Sequence, residues 1–130
     1  MLKNIILNNP LRSLGLTATK SYREFQERID EVEAYKAIGK YPTYVSDFSF
    51  LDNFVRDKKS INLSKELVND KIGLIKYSLF WFSDSDDIDS MALDFISNEK
   101  YLSAKKIWDN STDNYNHTKN IALLLLIESL

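Results

Sequence analysis

The sequence predicts an all-α protein, a helical hairpin followed by antiparallel helix pairs. Apolar residues recur at steps of three and four through several long windows. Three Gly and two Pro in 130 residues are too few for the tight turns of an all-β chain. Seven Tyr, seven Phe and two Trp supply enough bulk for a core without cross-links.

The clearest element is a helix from Tyr22 to Ile38. Ser21 and Glu24 have the spacing of a capping box, in which each side chain satisfies the other residue's free backbone N–H. Phe25, Ile29, Val32 and Tyr35 form one apolar stripe, widened by Ala34 and Ile38, and Gly39 stands where a left-handed C-terminal cap belongs. Ahead of it, Pro10 to Leu14 reads as a single helical turn with Pro at its first position and Gly15 as its end. Leu11, Leu14 and Leu16 are then expected to fold back onto the stripe.

Residues 40–60 show no period, yet Phe48, Phe50, Leu51, Phe54 and Val55 are too apolar for a free linker. They predict an ordered loop laid over the core, with one turn near Leu51–Val55. A second long helix is expected from Leu63 to Phe82, with Val68, Ile72, Ile75, Leu79 and Phe82 as its inward stripe and Leu67, Leu74 and Trp81 as a second edge. Gly73 inside it is expected to admit a neighbouring helix, and Ile29→Ala and Ile75→Ala are each expected to cost about 2–5 kcal/mol.

The run Ser83–Asp87 is polar. A short helix follows at 88–97, with Ile88, Met91, Ala92, Phe95 and Ile96 inward. After a turn at Asn98-Glu99 comes a helix with Tyr101, Ala104, Ile107 and Trp108 inward, and a last helix at 115–130, apolar nearly all round from Ile121 to Ile127. That last helix has no C-terminal cap in its sequence, which points to a truncated piece of a longer protein or to a helix that packs into a partner. The expected division is a helical domain over 1–83 and the start of a helical-repeat-like region over 84–130.

The chemistry expected of the chain is sparse. Absence of Cys excludes disulfides and thiolate sites. A net charge of −2 with interspersed signs argues against nucleic acid as a partner. No segment has the roughly 20 apolar residues of a membrane span. MLKNIILNN is not a secretory signal, so a cytoplasmic location is expected. His117, the single histidine, reads as a surface or helix-start residue. Read as a calcium loop from Asp84, the acidic run places Asp89 and Phe95 where Gly and Glu are required. Helix capping by Asp86 or Asp87 accounts for it better. No metal, cofactor or catalytic residue is expected. The run Tyr77-Ser78-Leu79-Phe80-Trp81-Phe82 has two readings. It is either a helix end wedged between two packed layers or an exposed patch in which Tyr77, Phe80, Trp81 and Phe82 contact a partner protein.

The segment NPLRSLGLTATKSYREFQERIDEVEAYKAIGK resembles the opening of a J-domain, the helical module of co-chaperones that stimulate heat-shock ATPase chaperones. SKELVNDKIGLIKYSLFWF is similar to its third helix. Active members carry His-Pro-Asp after the second helix. Here that loop reads Gly39-Lys40-Tyr41-Pro42-Thr43, and acids outnumber bases on the preceding helix. The resemblance therefore implies the hairpin without the ATPase-stimulating residues. A closer likeness is to poorly characterised bacterial proteins with an NP-x-R-x-LG opening, a KY-x-x-FWF phrase and an A-K-x-I-W helix. The pair at 88–108 is similar to one degenerate tetratricopeptide unit packed through Ala92, Ala104 and Trp108. The expected function is a non-catalytic protein-interaction module. The alternatives are a co-chaperone-like protein that docks on a heat-shock ATPase, and an unrecognised enzyme.

Overall fold

The computed structural model describes residues 2–18, 20–48, 51, 56–111 and 113–130, apart from the side chains of Leu2, Leu67 and Val68. Every regular element among them is helical: α1 (Leu2–Leu7), α2 (Pro10–Ser13), α3 (Tyr22–Ala37), α4 (Lys58–Val68), α5 (Lys71–Leu79), α6 (Asp87–Ser97), α7 (Tyr101–Asp109) and α8 (Tyr115–Glu128). The all-α expectation holds. No helix among the described residues is long and apolar enough to cross a membrane.

The short turn α2 is built as its sequence implies. Pro10 is its first residue, and Asn9 caps it by accepting the Leu11 N–H at 2.9 Å. The Asn9 amide also donates to the carbonyls of Tyr77 and Phe80, tying this turn to the end of α5. Gly15 has φ +64°, and a Cβ there would lie 2.3 Å from the Tyr44 ring. Glycine is thus required twice over, by conformation and by space. Leu11, Leu14 and Leu16 are all buried.

In α3 the Ser21–Glu24 capping box forms in full, and Phe25, Ile29 and Val32 are buried. The expected stripe stops there. Ala34 is exposed, and Tyr35 and Ile38 are 39% and 66% exposed. Beyond the next turn, Phe48 and Leu51 join the core as the loop reading requires. Phe50, Phe54, Val55 and the turn expected near Leu51–Val55 lie outside the described residues.

The single helix expected over 63–82 is two helices. Asp70 is the N-cap of α5, its carboxylate accepting the Gly73 N–H at 3.0 Å. A Cβ at Gly73 would lie 2.7 Å from Asp70 Oδ2, so this glycine makes room for its own cap rather than for a neighbouring helix. The break also turns the faces of α5. Leu74 and Tyr77 pack inward, whereas Ile72, Ile75 and Leu79 are 81%, 64% and 49% exposed. Leu74 and Trp81 of the second edge thus point inward, and of the main stripe Ile72, Ile75 and Leu79 face out while Phe82 stays buried. Leu67 and Val68 lie outside the described side chains. Of the two helices that replace the single one, α4 packs on α3 and α2 and is joined to α3 by the Lys65–Glu33 ion pair. Ile29→Ala should still lower stability by about 2–5 kcal/mol. Ile75→Ala should change it by less than about 0.5 kcal/mol, and urea midpoints of the two variants check the corrected faces.

In the second half, α6 packs on α7 and α7 on α8. Ala92, Ile96, Ala104 and Trp108 are buried as expected. Met91, expected inward, is 54% exposed, and Leu93 takes the inward place. The last helix ends with the Ser129 hydroxyl and N–H both donating to the Leu126 carbonyl, a cap that the apolar pattern did not reveal.

One core cluster draws on both 1–83 and 84–130. Its centre is aromatic. Phe82 lies edge-on to Phe48 at 5.6 Å and stacks on Trp108 at 6.0 Å, with 9° between the planes. Trp81 lies beside both Phe48 and Phe82, and its Nε1–H donates to the Leu16 carbonyl at 2.8 Å.

Candidate functional site

The break at Asn69-Asp70 creates the surface on which a site can form. Ile72, Ile75 and Leu79 are spaced so that they share one face of α5, and that face runs into a groove of about 360 Å³. Its apolar wall is Leu74, Ile75, Leu79 and Phe25 of α3, and its far rim is Tyr115 and Lys119 of α8. Lys20 also lines it, and among the described residues no carboxylate does. The Ala18 N–H donates to the Phe82 carbonyl at 2.8 Å, which holds the approach to α3 against the end of α5.

A buried polar cluster behind the groove fixes its α8 side. Asn120 pairs with the Ser83 backbone in both directions, accepting its N–H at 2.8 Å and donating to its carbonyl at 2.9 Å. Asp89 is fully buried. Its Oδ1 accepts from Trp108 Nε1 at 2.8 Å and Asn120 Nδ2 at 3.1 Å, and its Oδ2 accepts from the N–H and hydroxyl of Ser85. Four donors fill the accepting capacity of one carboxylate.

His117 is 3% exposed, so the surface reading is corrected, although it does lie in the first turn of α8. Its Nδ1 faces the Ser111 carbonyl at 3.0 Å, and its Nε2 faces Asp86 Oδ2 at 2.7 Å. Both partners are acceptors, so both ring nitrogens must donate, and the geometry selects the imidazolium. Burial pulls the His117 pKa down. The bonds to Ser111 and Asp86, with the charges of Asp89 and Asp86, outweigh it and leave the net shift upward from 6.5. Asp86 caps α6 by accepting the Asp89 N–H at 2.9 Å, as the capping reading expected. That bond and the one from His117 outweigh burial and hold its carboxyl below 3.8.

The sign of the pH dependence follows from these directions. The raised imidazole stabilises the fold fully below 6.5, and its contribution is lost as pH rises through the folded value. The lowered carboxyl contributes above 3.8, and its share is lost as pH falls through its folded value. Urea midpoints should therefore fall as pH is raised through neutrality, and His117→Gln should flatten that alkaline limb. An unchanged slope in the variant would show that the pair does not form.

Asp86, Asp89 and His117 also place one ligand atom each within 4.8 Å of one another, a spacing that suits a divalent cation. Asp89 has no unused lone pair to offer, and a cation would have to displace Trp108, Asn120 or Ser85 from it. The cluster is built as a hydrogen-bonded tie.

The expected contact residues separate. Trp81 and Phe82 are 0% exposed and stand in the core, so the exposed-patch reading is corrected for them in favour of the wedged helix end. Tyr77 and Phe80 are half-buried against that core. The face that α5 does offer is Ile72, Ile75 and Leu79. Asp70 followed three residues later by Gly73 is the signal that could have exposed the helix break.

No protein-family model, curated protein or solved structure matches the chain.

Proposed function

We propose that this chain is a non-catalytic protein-interaction module that receives a helical segment of a partner along α5. The observation that carries the reading is the exposure of Ile72, Ile75 and Leu79 on one helix face that opens into an apolar groove. Large apolar side chains aligned in this way mark a contact surface more often than isolated ones do. The nine residues of α5 span about 13 Å, enough to meet two to three turns of an amphipathic helix through residues at i, i+3 and i+7.

The J-domain reading supplies the setting of this surface. It is supported by the α2 turn, the Gly15 reversal and the capped α3 packed on α4. With no His-Pro-Asp between α3 and α4, docking on a heat-shock ATPase is the second reading, and an ATPase titration with and without this chain tests it.

Panning a displayed library of helical peptides against the full chain tests the first reading. Recovered peptides are expected to carry apolar residues at helical spacing and to lose binding to Ile72→Asp and Ile75→Asp. Both positions are exposed, so both variants should fold. Recovery of no peptide, or binding indifferent to both substitutions, overturns the reading.

A further inference from the structure

We infer that the segment received in the groove carries a carboxylate that pairs with Lys119. This deepens the proposed interaction role and rests on it.

Lys119 lies half-buried in the first half of α8 and lines the groove together with Ile75 and Leu79. Its Nζ donates to the Ser78 carbonyl and the Ser83 hydroxyl. Both acceptors are neutral. They orient the ammonium without compensating its charge, and an ammonium has a third proton to donate. No carboxylate stands within ion-pair distance of Nζ among the described residues. Asp89 acts on Lys119 through its charge alone, its four acceptor positions being filled from elsewhere. Burial, opposed in part by Asp89, takes the Lys119 pKa down to about 8.

The surroundings favour an anion. Lys20 lines the same groove, and among the described residues no Asp or Glu does. The wall is apolar, so a docked segment would exclude water from the ammonium and strengthen its attraction to an opposite charge. Folding has already met much of the cost of desolvating Lys119. An incoming carboxylate gains the attraction with less of the penalty that usually offsets a buried pair. A neutral occupant would cover the ammonium further and add no opposite charge to that of Asp89, so the groove favours an acid over it.

The test uses peptides recovered on the full chain and a double-substitution cycle. Glu→Gln in the peptide and Lys119→Gln in the protein should each weaken binding by about tenfold or more, and combining them should add little. Lys119→Arg should restore much of the affinity, and binding to the unaltered chain should weaken as pH rises through 8. Peptides that carry no acid, or that bind Lys119→Gln undiminished while still failing on Ile75→Asp, overturn the carboxylate pairing and leave the groove reading standing. Failure of every peptide, with the surface binding anionic vesicles or a second copy of the chain instead, overturns both.

Discussion

Replacing Asp89 by alanine is expected to destabilise the protein by about 3–5 kcal/mol, the usual cost of removing one partner from a buried charged network. Asp89 is fully buried and accepts from Trp108, Asn120 and Ser85. Without it, an indole N–H and an amide N–H face an empty space in the core. Each unmet buried donor costs about 1–3 kcal/mol. His117 and Lys119 lose the nearest fully buried negative charge as well. Asp89→Asn keeps the shape but turns an NH₂ toward donors, so it should recover only part of the loss. Asp87→Ala, two residues earlier and exposed, should stay within about 0.5 kcal/mol. Urea unfolding of the three variants checks the order. An Asp89→Ala midpoint equal to that of Asp87→Ala would mean that the buried carboxylate holds nothing together.

The second large effect is expected at Arg56. The residue is 4% exposed. It donates through Nε to the Ser13 carbonyl, through Nη1 to the Pro42 carbonyl, and through Nη2 to Asp47 Oδ1 at 2.8 Å and to the Arg12 carbonyl. The Tyr44 ring lies 4.9 Å from its carbon centre. One side chain thus closes the end of α2, where the last carbonyls lack intrahelical partners, onto the 42–47 loop. Arg56→Met fills similar volume but takes the ion partner from Asp47 and leaves the Ser13 and Pro42 carbonyls without this donor. A loss of about 3–5 kcal/mol is expected. Lysine cannot reproduce a planar fork with five donors, so Arg56→Lys should recover little. Recovery to the original midpoint with Lys would show that charge alone, and not the fork, matters at this place.

The parts of the fold that were legible in the sequence are those set by near neighbours. The α3 start is written in Ser21 and Glu24, and its buried face in Phe25, Ile29 and Val32. The Asn9-Pro10 start and Gly15 end of α2 are equally local. The division of 63–82 was hidden because its apolar residues keep helical spacing across the break. Nothing in that period says that Asp70 will take the Gly73 N–H and restart the helix in a new orientation. Ile72, Ile75 and Leu79 therefore read as core when they are surface. The cluster at the back of the site was illegible for another reason. Asp89 meets Trp108 and Asn120 at separations of 19 and 31 residues, and no local pattern marks an acid for burial. Lys119 and His117 likewise owe their surroundings to contacts with α5 and the start of α6.

The sandwich of Phe48, Phe82 and Trp108 has a mechanical consequence. Phe82 is shared, perpendicular to a ring from the first half of the chain and stacked on a ring from the second. Neither portion can loosen while the other stays shut, because parting them strips the same residue. Heat should consequently melt the molecule in one cooperative step, and a protease cut in the Ser83–Asp86 segment should release two sticky fragments rather than two independent folds.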